Sequence, residues 1–232
     1  MRRPRNVLLL IGSPKPGPSS SAALGTYLLD ELAGRGLSTQ AVVLTEALSS
    51  PQAAERMLAA VAAADLVVLS FPLYIDSLPA PLIRVMELLA EDRAGRAAGG
   101  DSPQESDRQG LVAICQCGFP EALHDQVALE ICANFARVAG FEWAGGLAMG
   151  GGGLIDARPL AERAGPLRFV VRALKCGAAE LAEGRPLPAE AVHLMAKPGF
   201  PAFAYRLIAN RGWRHELKRR GATAPLDARP FA

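Results

Sequence analysis

Residues Val7 to Ile11 form an unbroken apolar run, VLLLI, that stops at Gly12-Ser13-Pro14. A hydroxyl cluster, Ser19-Ser20-Ser21, follows and opens a segment with Leu24, Leu28 and Leu32 four residues apart. A short apolar run bounded by turn residues reads as a buried strand, and the four-residue spacing as a helix. This junction constrains the fold more than any other feature, because a strand apolar on both faces belongs to a parallel sheet covered on both sides. Backbone N–H groups and the positive end of the helix dipole converge at such a junction, where an anion can bind. Ser13, Ser19, Ser20 and Ser21 add hydroxyls and Lys15 adds a charge, which suits a phosphate. The other reading is a strand-to-helix turn whose serines only cap the helix.

The alternation continues along the chain. After the helix over 20–34, stopped by Gly34 and Gly36, a second strand is expected over Thr39–Thr45 and a second helix from Pro51 with Met57, Leu58 and Val61 on one face. The continuous apolar run Leu66–Phe71 reads as a central strand, followed by a third helix over Pro79–Glu91 with Leu82, Ile83, Met86 and Leu89 as its stripe. Residues 94–109 lack periodicity and read as an exposed, mobile loop. Leu111–Cys115 is a fourth strand, and a helix from about Glu121 to Val138 repeats Leu123, Val127, Ile131 and Phe135. Glu142–Met149 is a fifth strand, and a fifth helix spans about Leu160 to Glu183, with Leu167, Val170, Val171, Leu174 and Leu181 inward. Strands alternating with helices require crossover connections, hence a doubly wound, five-stranded parallel sheet with helices on both faces. Ligands of such sheets bind outside the carboxyl ends of the strands, which selects loops 12–21, 72–80, 115–121 and 150–156.

Composition narrows the function. A net charge of +2 is too small to argue for nucleic acid. Four cysteines lie inside apolar segments with no CxxC pair, and His124, His193 and His215 have no metal-ligand spacing. Free thiols and no apolar stretch near the roughly 20 residues of a spanning helix point to a cytoplasmic protein. Cys115 and Cys117 share a strand face, where packed thiols are expected over a redox pair, since a disulfide across a CxC is strained.

Between Pro72 and Pro79 the chain is expected to form a stiff hoop, with Leu73, Tyr74 and Ile75 offering a wall for a flat ring or, alternatively, plugging the sheet end. Gly150 to Gly153 let backbone approach a ligand edge, or make a flexible loop. The pair GSPK…SSS after the first strand and PLY…LPAPL after the third resembles the flavodoxin-like NAD(P)H-dependent FMN reductase and quinone reductase family. The resemblance covers roughly residues 5–184 and implies FMN as cofactor with NAD(P)H as electron donor. By position it places the FMN phosphate on Ser13, Lys15, Ser19, Ser20 and Ser21. It sets the ribityl chain and ring along Pro72, Leu73, Tyr74, Ile75 and Asp76, with Cys117, Gly118, Phe119, Gly151, Gly152 and Gly153 completing the ring site. The implied activity is transfer from NAD(P)H to a small quinone, azo, nitroaromatic or flavin acceptor, with no catalytic side chain and no metal, in a homodimer. An electron carrier of the same fold and a flavin-free binding module are the alternatives. Pro14, Pro16 and Pro18 depart from the family pattern by removing backbone donors from the phosphate loop.

The expected division is a flavodoxin-like domain over 1–184 and a basic, helical extension over 185–232. Residues 200–221 set Phe203, Leu207 and Ile208 among arginines and could face an anionic membrane or an acidic protein. Their shortness and the break at Gly212 favour docking on the same domain or across a dimer.

Overall fold

A computed structural model describes residues 1–98, 108–155, 160, 165, 167–199 and 201–221. Five strands form one parallel sheet: β1 (Asn6–Ile11), β2 (Ser38–Val43), β3 (Leu66–Pro72), β4 (Gly110–Gln116) and β5 (Glu142–Met149), in the order β2-β1-β3-β4-β5. The order reverses between β1 and β3, so the chain winds outward in both directions from that pair. Every residue of β3 and β4 is buried, as expected of strands read as continuous apolar runs. Successive side chains point to opposite faces, so Val7, Leu9 and Ile11 enter one core and Leu8 and Leu10 the other.

The first core lies under α1 (Ser20–Ala33), α6 (Arg168–Ala182) and α7 (Ala189–Met195). The second lies under the single turn α2 (Leu44–Ala47), α3 (Pro51–Ala63), α4 (Ala80–Ala98) and α5 (Gln126–Val138). Ser19 caps α1 and Ser50 caps α3, each side chain accepting a backbone N–H three residues on.

Several boundaries differ from expectation. β2 stops at Val43 because Leu44 and Ala47 turn into the core as α2. α4 continues to Ala98, so residues 94–98 are helix; 99–107 lie outside the described residues. Val85, not Ile83, completes the buried stripe of α4. On α5 the expected stripe divides: Phe135 packs against the second core, while Leu123, Val127 and Ile131 are exposed and Ala128, Cys132 and Ala136 are the residues fully buried. α6 begins at Arg168, and 156–159, 161–164 and 166 lie outside the described residues.

β5 bulges where Leu111 pairs with Trp143 and Val112 with Gly145. The Leu187 N–H donates to the Ala144 carbonyl at 2.8 Å, covering this edge strand. Ala191, Leu194 and Met195 are buried in the first core, so the first unit runs from Met1 to Gly199. Phe200–Ala232 forms a second unit, whose described part is one helix, α8 (Ala202–Arg219), unbroken at Gly212. Among the described residues no helix is long and apolar enough to cross a membrane.

Asp65 ties the lower end of the central strands. Its buried carboxylate accepts the N–H groups of Arg5 (2.7 Å) and Asn6 (2.9 Å) and pairs with Arg2. Burial pushes this carboxyl up, but the two N–H donors and the guanidinium outweigh it and hold it below the usual range. Its stabilisation is therefore present at neutral pH and lost as pH falls through the lowered value. Asp65→Ala strands two N–H groups, and we expect a loss of about 2–4 kcal/mol in urea unfolding at pH 7.

Candidate functional site

The carboxyl ends of β1, β3 and β4 surround a cleft of about 480 Å³. Ser13, Lys15, Pro16, Pro18, Ser19 and Ser20 line it from the first loop, Pro72, Leu73 and Tyr74 from the third strand's end, and Gln116, Gly118 and Ile155 from the far side. The loop after β1 is pinned to β3, since the Gly12 N–H donates to the Ser70 carbonyl at 2.8 Å. The Ser70 hydroxyl in turn donates to the Ser21 carbonyl at 2.7 Å. Ser19 accepts the Ala22 N–H at 3.1 Å, so this serine caps the helix whatever else it does. Ser20 donates to the Gly152 carbonyl at 2.9 Å, joining the first loop to the one after β5. Ser21 is buried and does not line the cleft, and its hydroxyl oxygen makes no hydrogen bond.

The segment after β3 is a hairpin turn. Tyr74 and Ser77 exchange two backbone hydrogen bonds at 2.9 and 3.0 Å, and Ile75 and Asp76 at the tip have φ of 49° and 55°. Left-handed backbone is costly for a β-branched residue, and Ile75 is 98% exposed there. Ile75 and Tyr74 therefore do not plug the sheet end; Leu78, buried in the second core, does. Tyr74 keeps one side on the cleft, whereas Ile75 and Asp76 lie outside its lining.

The glycine run is packed, not slack. The Gly151 N–H donates to the Phe119 carbonyl at 2.6 Å, and the Gly152 N–H to the Cys117 carbonyl at 2.8 Å. A Cβ on Gly150 would lie 2.2 Å from the Pro120 carbonyl oxygen, and one on Gly152 1.6 Å from the Gln116 amide oxygen. Close approach of two protein loops thus requires these glycines. Cys117 is buried, Phe119 and Gly153 are exposed, and neither these three nor Gly151 and Gly152 line the cleft. Gln116 was not anticipated, although it is the single polar residue in LVAICQ and sits at a strand's carboxyl end. Ile155 carried no sequence signal.

Residues 5–116 match the model of the NADPH-dependent FMN reductase family. That is the family this chain resembles. A candidate quinone reductase from Klebsiella pneumoniae aligns at 19% identity over 79% of this chain and 87% of that one, with a TM-score of 0.54. An NADH:FMN oxidoreductase in its apo form aligns at 15% identity over 85% and 96%, with a TM-score of 0.53. Rubredoxin:oxygen oxidoreductase from Desulfovibrio gigas aligns at 10% identity over 79% of this chain, with a TM-score of 0.53; this chain spans only 36% of its length. At such identities these structures show the flavodoxin-like fold. No curated protein matches the chain.

At the carboxyl ends of β4 and β5 lies an acid that sequence reasoning missed. Asp125 is fully buried, and its carboxylate accepts the Met149 N–H at 3.0 Å with the Cys115 and Cys117 thiols beside it. An aspartate opening a helix resembles an ordinary cap, so nothing in the sequence shows its burial. Burial raises this carboxyl to about 6, partly opposed by the Cys115 thiol and the Met149 N–H. Burial, and then the charge of Asp125, pushes the Cys117 thiol up to about 12 and the Cys115 thiol further. All four cysteines are free, so this pair consists of packed, protonated thiols.

The unfolded Asp125 carboxyl titrates near 3.8, so between about pH 4 and 6 the native state holds a proton that the unfolded chain has released. Its contribution to stability falls as pH rises through that window, by up to about 3 kcal/mol. Asp125→Asn removes that slope. Urea unfolding of both proteins across this range gives a difference that changes with pH; a constant difference refutes the assignment.

Proposed function

We propose that this chain is an NAD(P)H-dependent flavin oxidoreductase that holds FMN in the cleft at the β1/β3 switch point and reduces small conjugated acceptors. The observation that carries this reading is the cleft's chemistry. A cationic, hydroxyl-bearing loop at a helix N-terminus stands opposite an apolar wall, in a chain whose residues 5–116 match the FMN reductase family. Its volume of about 480 Å³ falls in the range of small-molecule sites. The residues present fit the cofactor at both ends. Lys15 and the Ser13 and Ser19 hydroxyls face the phosphate end, together with the unpaired N–H groups of the first turn of α1. Ser19 can still donate its hydroxyl proton while it caps the helix, whereas the Ser20 proton is committed to Gly152.

Pro14, Pro16 and Pro18 contribute no N–H, which shifts the weight of anion recognition onto Lys15. Pro72, Leu73 and Tyr74 form the wall for the ring, and Gln116 and Gly118 face them with polar side-chain and backbone groups. FMN held there would supply the hydride-accepting chemistry, while Lys15, Ser13 and Ser19 at one end and Pro72, Leu73 and Tyr74 at the other would orient it. The half-exposed Tyr74 leaves one side of the cleft accessible, which suits flat acceptors such as quinones, azo compounds, nitroaromatics or free flavin.

The test is spectroscopic. Protein supplemented with FMN retains a visible flavin band, and anaerobic NADPH or NADH bleaches it; comparing the two rates identifies the donor. Loss of one phosphate-facing charge in Lys15→Ala weakens FMN binding about tenfold and leaves riboflavin binding unchanged, about 1.4 kcal/mol in a fluorescence titration. A protein that retains no flavin at high FMN refutes the oxidoreductase reading.

A further inference from the structure

We infer that α8 lies along the surface of an anionic lipid bilayer, with Phe203, Leu207 and Trp213 set into it and its cations against the lipid phosphates. The inference goes beyond the reductase reading and does not depend on flavin. Neither the shortness nor the break at Gly212 expected of this segment is found. α8 runs through Gly212 as one helix of 18 residues, a rod roughly 27 Å long. It is too polar to cross a membrane, so a bilayer meets it along its side.

The helix leaves its largest apolar groups in water. Phe203 and Leu207 are each 71% exposed, Trp213 69% and Ile208 49%. At 3.6 residues per turn, Phe203, Leu207, Trp213 and the partly exposed Leu217 fall within about one-third of the helix circumference. Large apolar side chains gathered on one exposed stripe mark a contact surface.

The charges select the partner. Arg206, Arg211, Arg214, Lys218, Arg219 and Arg220 stand against one acid, Glu216. Glu216 is engaged by Arg220 at 2.8 Å and Arg219 at 3.6 Å. Among the described residues Arg206, Arg211, Arg214 and Lys218 meet no carboxylate. Arg206 and Arg214 fall inside the apolar sector itself, and Lys218 and Arg211 follow along its edge. An apolar protein groove that took this stripe would bury those two guanidinium groups beside Phe203 and Trp213 with no opposite charge. An acidic protein surface would pair the cations but would set Phe203, Leu207 and Trp213 against carboxylates. A bilayer satisfies both kinds of group. Each arginine lays its apolar stem beside the rings and reaches up to the phosphate layer. Tryptophan suits the same depth, with an apolar body and one N–H donor.

Flotation of the full chain with lipid vesicles tests this without any flavin. The protein floats with phosphatidylcholine vesicles containing about one-third phosphatidylglycerol and stays behind with phosphatidylcholine alone. Binding moves the tryptophan emission to shorter wavelength, and Trp213→Phe, which keeps Trp143, binds without that shift. Phe203→Glu combined with Trp213→Glu abolishes flotation with an unchanged far-UV circular dichroism spectrum, because both side chains are exposed. Arg211→Gln combined with Lys218→Gln weakens binding to the anionic vesicles about twenty-fivefold, the effect of losing two cations at the surface. Failure to float with the anionic vesicles overturns the proposal, as does equal binding to the neutral ones. Flotation that survives the double glutamate variant also overturns it. Flotation without the emission shift means that the cations alone hold the protein, as they would on an acidic protein, and overturns the insertion of the stripe.

Discussion

The parallel pairing of β1 with β3 is the constraint on which the rest of this structure depends. It is held at its lower end by the Asp65 carboxylate, which gathers the N–H groups entering β1. At its upper end the Gly12 N–H meets the Ser70 carbonyl. Between these ties the strands are buried on both faces and cannot slip register without moving apolar side chains to the wrong core. The chain leaves this pair in opposite directions, so the loops after β1 and β3 diverge and a cleft opens between them. The site is a consequence of the winding order before it is a consequence of any side chain.

What makes the cleft a fixed shape is contact between loops distant in sequence. Ser20 reaches Gly152, Gly151 and Gly152 bond to the backbone of 117–119, and Asp125 holds the end of β5 beside the thiols of β4. The glycines serve protein-to-protein approach: the Gln116 amide occupies the space of a Gly152 side chain and the Pro120 backbone that of a Gly150 side chain. The hairpin tip at Ile75 and Asp76 has left-handed backbone and almost no cover. The cleft thus has walls fixed by contacts between loops and one strained, exposed edge.

α5 carries apolar residues on more than one side. Alanine and cysteine on its inner face let it lie close to β4 and β5 with Leu129 and Phe135 packed at the sides, while Val127, Ile131 and Val138 are exposed. Periodicity alone registers the strongest apolar stripe, and on this helix the strongest stripe is not the one that meets the sheet. The same ambiguity affected Ile83, whose place in the core is taken by Val85.

The amino-acid sequence by itself determined the strands, their order of appearance and the parallel class. Continuous runs such as LVVLSF and LVAIC suit only a sheet covered on both faces. It also marked the loops at the carboxyl ends, because turn residues cluster where a strand must stop. The tertiary structure alone decided which of those loop residues face a common space. Ser19, Ser20, Tyr74 and Gln116 meet across one cleft, while Ser21 and Cys117 turn into the protein and Ile75 and Asp76 turn out to solvent. Only the fold revealed that Asp125 is buried, that residues 185–199 cover the β5 edge, and that α5 leaves Val127, Ile131 and Val138 exposed. The reason is physical. Periodicity and turn chemistry act over a few neighbouring residues, whereas burial and facing depend on chains that arrive from a hundred residues away.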